Sequence, residues 1–597
     1  MSEIPEIPEQ KIESILTLRE QTQNVDDLQI AELAKELSIS RISARLLLSR
    51  GFSDILAAKN FLNPTLRHQL PNPNSIKNIE AAVDLIIHFI KTKEQITIYN
   101  DFDVDGLSSG SQLYLFLKAL GAKVEGYTPS RFTEGYGLVV SAVEKLAKNG
   151  TKLLITVDCG ISSVKEIEKA KELGLKSIIL DHHIPHHLPD ADVIVDPAQE
   201  GCPFGEFKLA AAGLIWMLLI VLRNKAKDEF QEEIASGKVK LLDPKDFLDL
   251  AALGTICDMV PLVGLNRVIA HRGLEALRDS QRLGVVALKR IAGIESAKRL
   301  TTYHVGFNIG PRINAAGRLG DANQVFTLLT TEDSIKAKAI AESLDRLNDK
   351  RRQVEENVKE DCLIKVGSDP QLMSKSAFAI YGEDYHLGVI GIVAQRLVEQ
   401  FKKPAAIMAP GEMIVRGEVK KVIKGSIRSV KGFHVAEALQ EINSLLITGG
   451  GHAEAGGFSL HLDNLEKFQE AFINKAAEKL TSDVLRKEIT ADISIKLSEI
   501  DLDIIKEFQL FAPFGVGNPS PVLVTKNLEI DTVSIIGDKH LKFRVSDGKN
   551  SLPAIAWGMQ RNPLLRKGKT VNIAYSPELN LYQGVSSIQL SVKDVWE

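Results

Sequence analysis

Short apolar runs alternate with longer helix candidates between about Ser75 and Thr330. Runs such as ITIY, LLITV and SIIL are bounded by turn signals or by charged residues, a pattern typical of buried strands in a parallel sheet. The segments Leu107 to Leu120 and Val139 to Asn149 are helix candidates between such runs. The alternation predicts an α/β domain in which helices flank a parallel sheet.

The pattern changes on either side of this domain. The first segment has helical periodicity and ends in FLNPTLRHQLPNPN, while SIKAKAIAESLDRLNDKRRQVEENVKEDCLIKV predicts one long charged amphipathic helix that connects two lobes. A glycine-rich α/β segment follows, and then short runs such as PVLVTKNLEI, HLKFRVSD and TVNIAYS predict a small antiparallel barrel. The predicted domains are 1–74, 75–330, 331–366, 367–483 and 484–597, which suits a chain of 597 residues.

Acidic residues follow the predicted strands. The segment NDFDVDG carries three aspartates on alternate positions, and the other candidates follow LLITV, SIIL and a further apolar stretch, LAALGTIC. If these segments lie side by side, their ends converge at the edge where open α/β sheets bind ligands. A single Asp after a strand is more often a cap or a turn residue, and Asp196 in VIVDPAQ is interpreted in that way. The converging candidates are Asp101, Asp103, Asp105, Asp158, Asp181, His182, His183 and Asp258.

Several carboxylates with one or two imidazoles suit Mn²⁺ or Mg²⁺, and we expect Mn²⁺ because imidazole is included. The four cysteines form no CxxC pair, so the sequence predicts neither structural zinc nor a disulfide framework. Two ions about 3.5–4 Å apart can polarise a phosphoryl oxygen and activate water. The sequence therefore predicts metal-assisted phosphodiester hydrolysis, with Asp158 bridging two ions because its strand should lie centrally.

The net charge of −4, from 73 basic and 77 acidic residues, argues against coating of duplex nucleic acid by bulk electrostatics. Binding would need local patches such as Lys420, Lys421, Lys424 and Arg428. The longest uncharged apolar stretch, Leu209 to Leu222, is too short to cross a bilayer, and the first residues lack the hydrophobic region of a signal peptide. We expect a cytoplasmic protein with no membrane partner.

The acidic motifs resemble those of the DHH phosphoesterases. DFDVDG, VDCG, LDHH and ICDMVPL match the four motifs of that superfamily. Together with RFTEGYGL, GPRINAAGRLG, YHLGVIGIVAQRL, KGSIRS, GGHAEAGGF and PFGVGNPSP, they resemble the RecJ family of bacterial exonucleases from about Arg50 to the C-terminus. Phe102, Val104 and Gln395 are mild departures from the common pattern of the RecJ family, and none of them removes a ligand. The resemblance implies a DHH catalytic domain, a DHH-associated domain and a C-terminal OB-type barrel.

The resemblance also implies an activity. It is the metal-dependent degradation of single-stranded DNA from the 5′ end to 5′ mononucleotides, in recombination and repair. Single-strand-binding protein and a helicase are the implied partners. In the family pattern Asp101 supports the metal site, and His183 either binds metal or faces the scissile phosphate. The implied DNA contacts are Arg131, Arg312, Asn314, Arg318, Lys424, Ser426, Arg428 and His452.

Some questions stay open at the level of sequence. We expect Arg131 and Arg318 on the catalytic lobe to meet Ser426, Arg428 and His452 of the second lobe across a cleft. Barrel aromatics could stack on bases, but the sequence does not sort the binding face from the core for Phe543, Trp557, Tyr575 and Tyr582. Two alternatives remain, namely a DHH phosphodiesterase for short oligoribonucleotides or cyclic dinucleotides, and a non-catalytic DNA-binding scaffold.

Overall fold

A computed structural model describes residues 14–22, 25–131, 134–135, 137–185, 187–415, 418–480, 487–537, 539–582 and 585–597. The chain divides into two compact units. The large unit contains residues 14–310, 322–341 and 488–597, and the small unit contains residues 311–321 and 342–487. In the described part of the chain, no helix combines the length and the apolar character that a membrane span requires.

The central sheet of the large unit has five parallel strands. Both faces are covered, so the three inner strands are almost entirely buried and apolar, as the sequence pattern predicts. The strand Leu153–Val157 is the middle one, as expected for the strand that leads to Asp158. In spatial order the strands are Val124–Tyr127, Ile96–Asn100, Leu153–Val157, Lys176–Leu180 and Val193–Val195.

Helices flank this sheet. The apolar stretch before Asp258 is one of them, Leu248–Cys257, and not a further strand of the sheet. Its length of ten residues and its burial along the whole segment are those of a core helix. The helices of this region are Ile79–Thr92, Val104–Ala119, Val140–Lys148, Val164–Glu172, Ala211–Glu229, Gln231–Ala235, Leu248–Cys257, Gly264–Asp279, Leu283–Ile291, His304–Ile309 and Asn323–Thr330.

The N-terminal segment contains the helices Arg19–Thr22, Asp27–Leu37, Arg41–Ser49, Ile55–Leu62 and Leu66–Gln69. It also contains a strand, Ser14–Leu18, where the sequence predicts only helix. That strand pairs with Lys487–Ala491, a partner far along the chain that local periodicity cannot reveal. Residues 1–13 lie outside the described part of the chain.

The C-terminal strands form a closed five-strand barrel of the OB type. It is closed by pairing of the first strand with the fourth, Leu523 opposite Tyr575. The prediction of a wholly antiparallel barrel is wrong at one seam, where Ala554 to Ala556 run parallel to Leu590 to Val592. The barrel strands are Leu523–Ile536, His540–Ser546, Ser551–Ala556, Thr570–Tyr582 and Val585–Trp596, preceded by the short strand Ile493–Ser494 and the helix Leu502–Phe508.

The barrel aromatics divide between core and surface. Phe543 and Tyr575 are buried and belong to a core that also includes Leu46 and Leu47 of the N-terminal helices. Trp557 is 54% exposed and stands edge-on to His540. Trp557 is therefore the barrel ring available to a ligand, and the side chain of Tyr582 lies outside the described residues.

A buried arginine joins three parts of the large unit. Arg267, on the helix Gly264–Asp279, is 2% exposed and donates hydrogen bonds to five backbone carbonyls, those of Phe61 and of residues 510–513. Its guanidinium carbon lies 3.9 Å from the centroid of the Phe61 ring. One side chain thus ties the N-terminal helices and the segment before the barrel to the α/β domain.

The small unit has its own mixed sheet. The strands, in spatial order, are Thr448–Gly451, Ala455–Leu460, Glu418–Arg428, Ala405–Val415 and Phe378–Tyr381. The predicted connecting helix is present as Ser334–Ser368, and it passes from the residues of the large unit into those of the small one. The other helices are Gly310–Leu319, which begins at the unit boundary, Pro370–Ser374, Ile390–Phe401, Val435–Glu441 and Leu465–Lys479.

Candidate metal centre

Three aspartates stand side by side at the carboxyl ends of neighbouring strands. Each directly follows its strand, and its backbone N–H continues the ladder by donating to the last carbonyl of the next strand. This register brings the three side chains to one edge of the sheet, as the sequence predicts. The bonds run from Asp101 to Val157 at 3.2 Å, from Asp158 to Leu180 at 3.0 Å and from Asp181 to Val195 at 3.2 Å.

His182 lies at the centre of the carboxylates. Its Nε2 is 3.1 Å from Asp158 Oδ1, 3.8 Å from Asp105 Oδ2 and 3.9 Å from Asp258 Oδ2. Burial lowers the pKa of His182 despite these acidic neighbours. The ring is therefore neutral near pH 7, which is the form that binds a metal ion.

Asp105 also binds the N-terminal end of a buried helix. Its two oxygens accept hydrogen bonds from Ala211 N at 2.7 Å and Ala212 N at 2.9 Å, at the start of the helix Ala211–Glu229. A negative charge is favourable at that end of a helix. Gly254 gives the carboxylate room, because a Cβ there would lie 2.3 Å from Asp105 Oδ1.

Asp181 orients the two histidines. One oxygen accepts hydrogen bonds from His182 N at 2.7 Å and from His183 Nδ1 at 2.7 Å, and the other accepts from Ile161 N at 3.0 Å. Burial opposes the charge on both side chains, but their contact outweighs it, raising the pKa of His183 to about 9 and lowering the pKa of Asp181. Asp181 therefore acts as an orienting partner, a role that its place in the sequence did not reveal.

Asp158 has unusual backbone geometry. Its φ of 63° lies in the left-handed region, which Asp tolerates better than most residues. Burial, and then the charges of Asp105, Asp103 and Asp101, raise its pKa well above the ordinary value. An unfavourable backbone conformation and a raised carboxyl pKa at the same residue are typical of a functional site.

Asp101 and Asp103 complete the acidic cluster. Asp101 is 3% exposed, and its Oδ1 has no hydrogen-bond partner among the described residues. Asp103 Oδ1 accepts from Gly106 N at 3.1 Å. The guanidinium carbon of Arg131 lies 5.3 Å from the ring centroid of Phe102, which stands between the two acids in the chain.

The donors fit divalent cations. Three groups of side chains each place their ligand atoms within 4.8 Å of one another, and the first group shares His182 with the second and Asp158 with the third. Buried carboxylates in this number repel one another unless cations offset their charge. The groups are Asp158, Asp181, His182 and His183; Asp105, His182 and Asp258; and Asp101, Asp103 and Asp158.

The pKa values of the cluster make metal binding dependent on pH. Burial, followed by neighbouring charge, raises the pKa of Asp105 and of Asp258 to about 7 and that of Asp101 to about 8. Metal binds the ionised forms, so we expect Mn²⁺ affinity to rise between about pH 6 and 8 and binding to release protons. Calorimetry at pH 7 in two buffers of different ionisation enthalpy counts those protons, and an affinity that stays constant across this range would contradict the prediction.

The remaining predicted residues lie in the small unit. The sequence pattern assigned residues 311–321 to the catalytic domain, whereas their contacts place them in the small unit with the KGSIRS segment. Arg312 pairs with Asp345 at 2.8 Å, Asn314 is half-buried and His452 is exposed. Arg318 Nη1 donates to Gly388 O at 3.1 Å. Motif order along the chain did not reveal this grouping.

Arg428 and Ser426 lie beside the start of a helix. They alternate with buried Ile427 on the strand Glu418–Arg428 and face the helix Ile390–Phe401, as Lys424 does. A Cβ on Gly391 would lie 3.0 Å from Ser426 Oγ and 3.3 Å from Arg428 Nη2. A guanidinium, a hydroxyl and a helix N-terminus side by side make an arrangement suited to phosphate.

The comparisons agree with this arrangement. The family models that match are the DHH family N-terminal domain over residues 95–255, the DHHA1 domain over 374–478 and the RecJ OB domain over 491–594. The single-stranded-DNA-specific exonuclease RecJ of Haemophilus influenzae is 34% identical over 548 residues, which are 89% of this chain and 92% of that protein. Its counterpart from Escherichia coli is 31% identical over 567 residues, covering 92% and 95% of the two chains.

A solved structure is similar over the same range. The crystal structure of RecJ in complex with Mn²⁺ from Thermus thermophilus has a TM-score of 0.80 and 27% identity, covering 98% of this chain and 80% of that one. The 34% and 31% sequence identities extend over nearly the whole length of the two relatives, so they indicate common family membership and not only a common fold. Since it spans the acidic strand ends, the small unit and the barrel alike, this chain belongs to the RecJ family.

Proposed function

We propose that this protein is a metal-dependent exonuclease that degrades single-stranded DNA from the 5′ end to 5′ mononucleotides. The observation that carries the proposal is the convergence of Asp105, Asp158 and Asp258 on His182 at one sheet edge. Relatives that match this chain over most of their length are named single-stranded-DNA-specific exonucleases. We place its role in DNA recombination and repair.

The metal would be Mn²⁺ or Mg²⁺, as in the RecJ crystal structures that contain those ions. Two bound ions supply Lewis-acid polarisation of the phosphodiester and lower the pKa of an attacking water. Asp103, Asp105, Asp158, His182 and Asp258 would hold them, with Asp101 in support and Asp158 shared between the two ion positions.

His183 would face the scissile phosphate. Its contact with Asp181 keeps the ring protonated near neutral pH, so it can donate a hydrogen bond to a phosphate oxygen or a proton to the leaving oxygen. The neighbouring His182 stays neutral in the same pH range. The pKa values of the two adjacent histidines are thus shifted in opposite directions, which suits them to different tasks.

The phosphate-suited arrangement in the small unit would hold the 5′ phosphate. Arg428 and Ser426 lie at the start of the helix Ile390–Phe401, and Arg318 is bonded to Gly388 just before that helix. Exposed His452 lies close to this strand, since its neighbour Ala455 pairs with Arg428. Lys424, Arg312 and Asn314 would support the strand around this point, and Arg131 would do so in the large unit.

Replacing Arg428 by alanine should reduce the preference for a 5′-phosphorylated over a 5′-hydroxyl strand by about tenfold, because a charge-assisted contact is lost. The measurement is the ratio of kcat/KM values for the two strands. Arg352→Ala, an exposed arginine on the long helix of the same unit, is the matched control and should keep the preference. An unchanged ratio in the Arg428 variant would rule out this role.

The activity itself is tested with matched single-stranded and blunt duplex DNA, labelled at either end and carrying a 5′ phosphate, with Mn²⁺ or chelator. Metal-dependent release of mononucleotides from the 5′ end of the single strand alone is the expected result. Turnover of oligoribonucleotides or cyclic dinucleotides, with no cleavage of DNA, would contradict it. Binding without turnover would also contradict it and would favour a scaffold, which the full set of acids makes the weaker alternative.

We further propose that the protein works in the cytoplasm on strands opened by a helicase and covered by single-strand-binding protein. Support comes from the substrate, because a free single strand in a cell arises by unwinding. One direct measurement is whether either partner co-purifies with the full chain. A second is whether association of the purified proteins is lost when the DNA strand is omitted.

A further inference from the structure

Two aromatic rings of the large unit are stacked in the open. Tyr303 is 63% and Phe307 is 66% exposed, and their centroids lie 5.0 Å apart with an interplanar angle of 25°. They are four positions apart, so Tyr303, which directly precedes the helical segment His304–Ile309, lies on the same face as Phe307 within it, while Val305 and Ile309 are fully buried. Single exposed apolar residues are ordinary, but two large exposed rings that stack on one another indicate a contact.

The helical turn that carries the two rings contacts the residue before Asp258. The carbonyl of Val305, between the rings in the chain, is 4.0 Å from the sulfur of Cys257, which directly precedes Asp258. On the other side, Thr302 Oγ1 donates to Phe514 O at 2.6 Å, in the PFGVGNPSP segment that leads to the barrel. The turn that carries the rings is therefore in contact with the residue before Asp258 on one side and with the segment before the barrel on the other.

We propose that Tyr303 and Phe307 form a stacking platform for unpaired bases of the strand that is being hydrolysed. This inference rests on the proposed function. Every base has a π-face, so stacking suits an enzyme that must accept any sequence. Bases of a duplex are already stacked and paired, so the platform also favours single strands. Exposed Lys298 and Arg299, just upstream, add positive charge for the phosphates.

The size of the surface favours bases over a protein partner. Two rings cover far less than the roughly 800 Å² that each partner buries in a stable protein interface. They match the area of one or two bases. Their stacked arrangement also fixes their orientation before a ligand arrives, which reduces the entropy lost on binding.

The test compares the unsubstituted protein with a Tyr303→Ala, Phe307→Ala double variant. The substrates are 5′-phosphorylated single strands with ordinary nucleotides or with abasic nucleotides near the 5′ end. We expect the double variant to have a KM about tenfold higher for the ordinary strand. Its KM for the abasic strand, its kcat and its affinity for Mn²⁺ should be unchanged. Tyr303→Phe should retain the original KM, and Leu56→Ala, which truncates an exposed side chain elsewhere in the large unit, should have no effect.

Failure of the inference and failure of the proposed function give different results. An equal KM for the ordinary strand in the double variant and the unsubstituted protein would overturn the platform and leave the exonuclease intact. Absence of DNA cleavage by the unsubstituted protein would overturn the proposed function. In that case, fluorescence anisotropy with a labelled oligodeoxynucleotide decides the platform, which is supported if the double variant binds about tenfold more weakly and rejected if it binds equally.

Discussion

Replacing Asp158 by asparagine should lower the rate of Mn²⁺-dependent hydrolysis of single-stranded DNA by about a thousandfold or more. The side chain belongs to two of the ligand groups and lies 3.1 Å from His182 Nε2, so its charge serves both proposed ion positions. Asparagine has the same shape and also tolerates the φ of 63°. The substitution therefore removes the charge without adding backbone strain.

A second aspartate at a strand end of the same sheet provides the control. Asp196 follows the strand Val193–Val195, is buried, and accepts a hydrogen bond from Ala198 N at 2.7 Å, as expected of a turn residue. Asp196→Asn should retain both activity and bound metal. Rates and metal content are measured on the two variants in parallel, and an Asp158 variant that keeps both would exclude Asp158 from the metal centre.

Replacing Arg267 by alanine should lower the free energy of unfolding of the large unit by about 3–5 kcal/mol. The substitution removes a donor from five backbone carbonyls, of which Phe511 O and Pro513 O still accept from Asn518 Nδ2, and it removes the stacking on Phe61. Burial, and then the charge of Arg50, lower the pKa of Arg267, so the carbonyl bonds are needed to keep this cation in the interior. The loss should appear as a lower midpoint in urea unfolding.

Two further variants separate the network from the charge. Arg267→Lys keeps a cation but cannot reach five carbonyls with three donors, so we expect an intermediate loss of stability. Arg272→Ala, on the same helix, removes one bond to Pro64 O and an exposed pair with Glu275, and should cost less than about 1 kcal/mol. Equal midpoints for the Arg267 and Arg272 variants would show that the buried network adds nothing.

The metal centre was predictable because its information is local. The proposed ligands Asp101, Asp158 and His182 follow apolar runs, and parallel strands align their ends, so these residues could be placed together from the sequence. Asp258 was identified by its motif, although the stretch before it is a helix and not a strand. The spacing of acidic residues along the sequence was informative because most of the proposed ligands lie within a few residues of a strand end.

Other features depend on partners far along the chain. The strand Ser14–Leu18 is defined by Lys487–Ala491, and Arg267 by carbonyls of residues 61 and 510–513, so neither leaves a local pattern. Arg318 sits in a motif next to the catalytic domain in sequence, yet its contact is with Gly388. A lone arginine in a helix and two aromatic residues on a helical segment leave no signal in the sequence, because their surroundings are formed by distant parts of the chain.

Asp105 has both a proposed catalytic role and a structural role, and this affects the order in which such a protein could lose its acidic residues. The same carboxylate approaches His182 and holds the first turn of the buried helix Ala211–Glu229. A mutation there would remove a contact between distant segments as well as damage the reaction, whereas Asp103 caps only the helix that begins at the next residue, by accepting from Gly106 N. A lineage drifting toward an inactive scaffold would therefore shed Asp103 early and keep Asp105 long after selection for hydrolysis had ended.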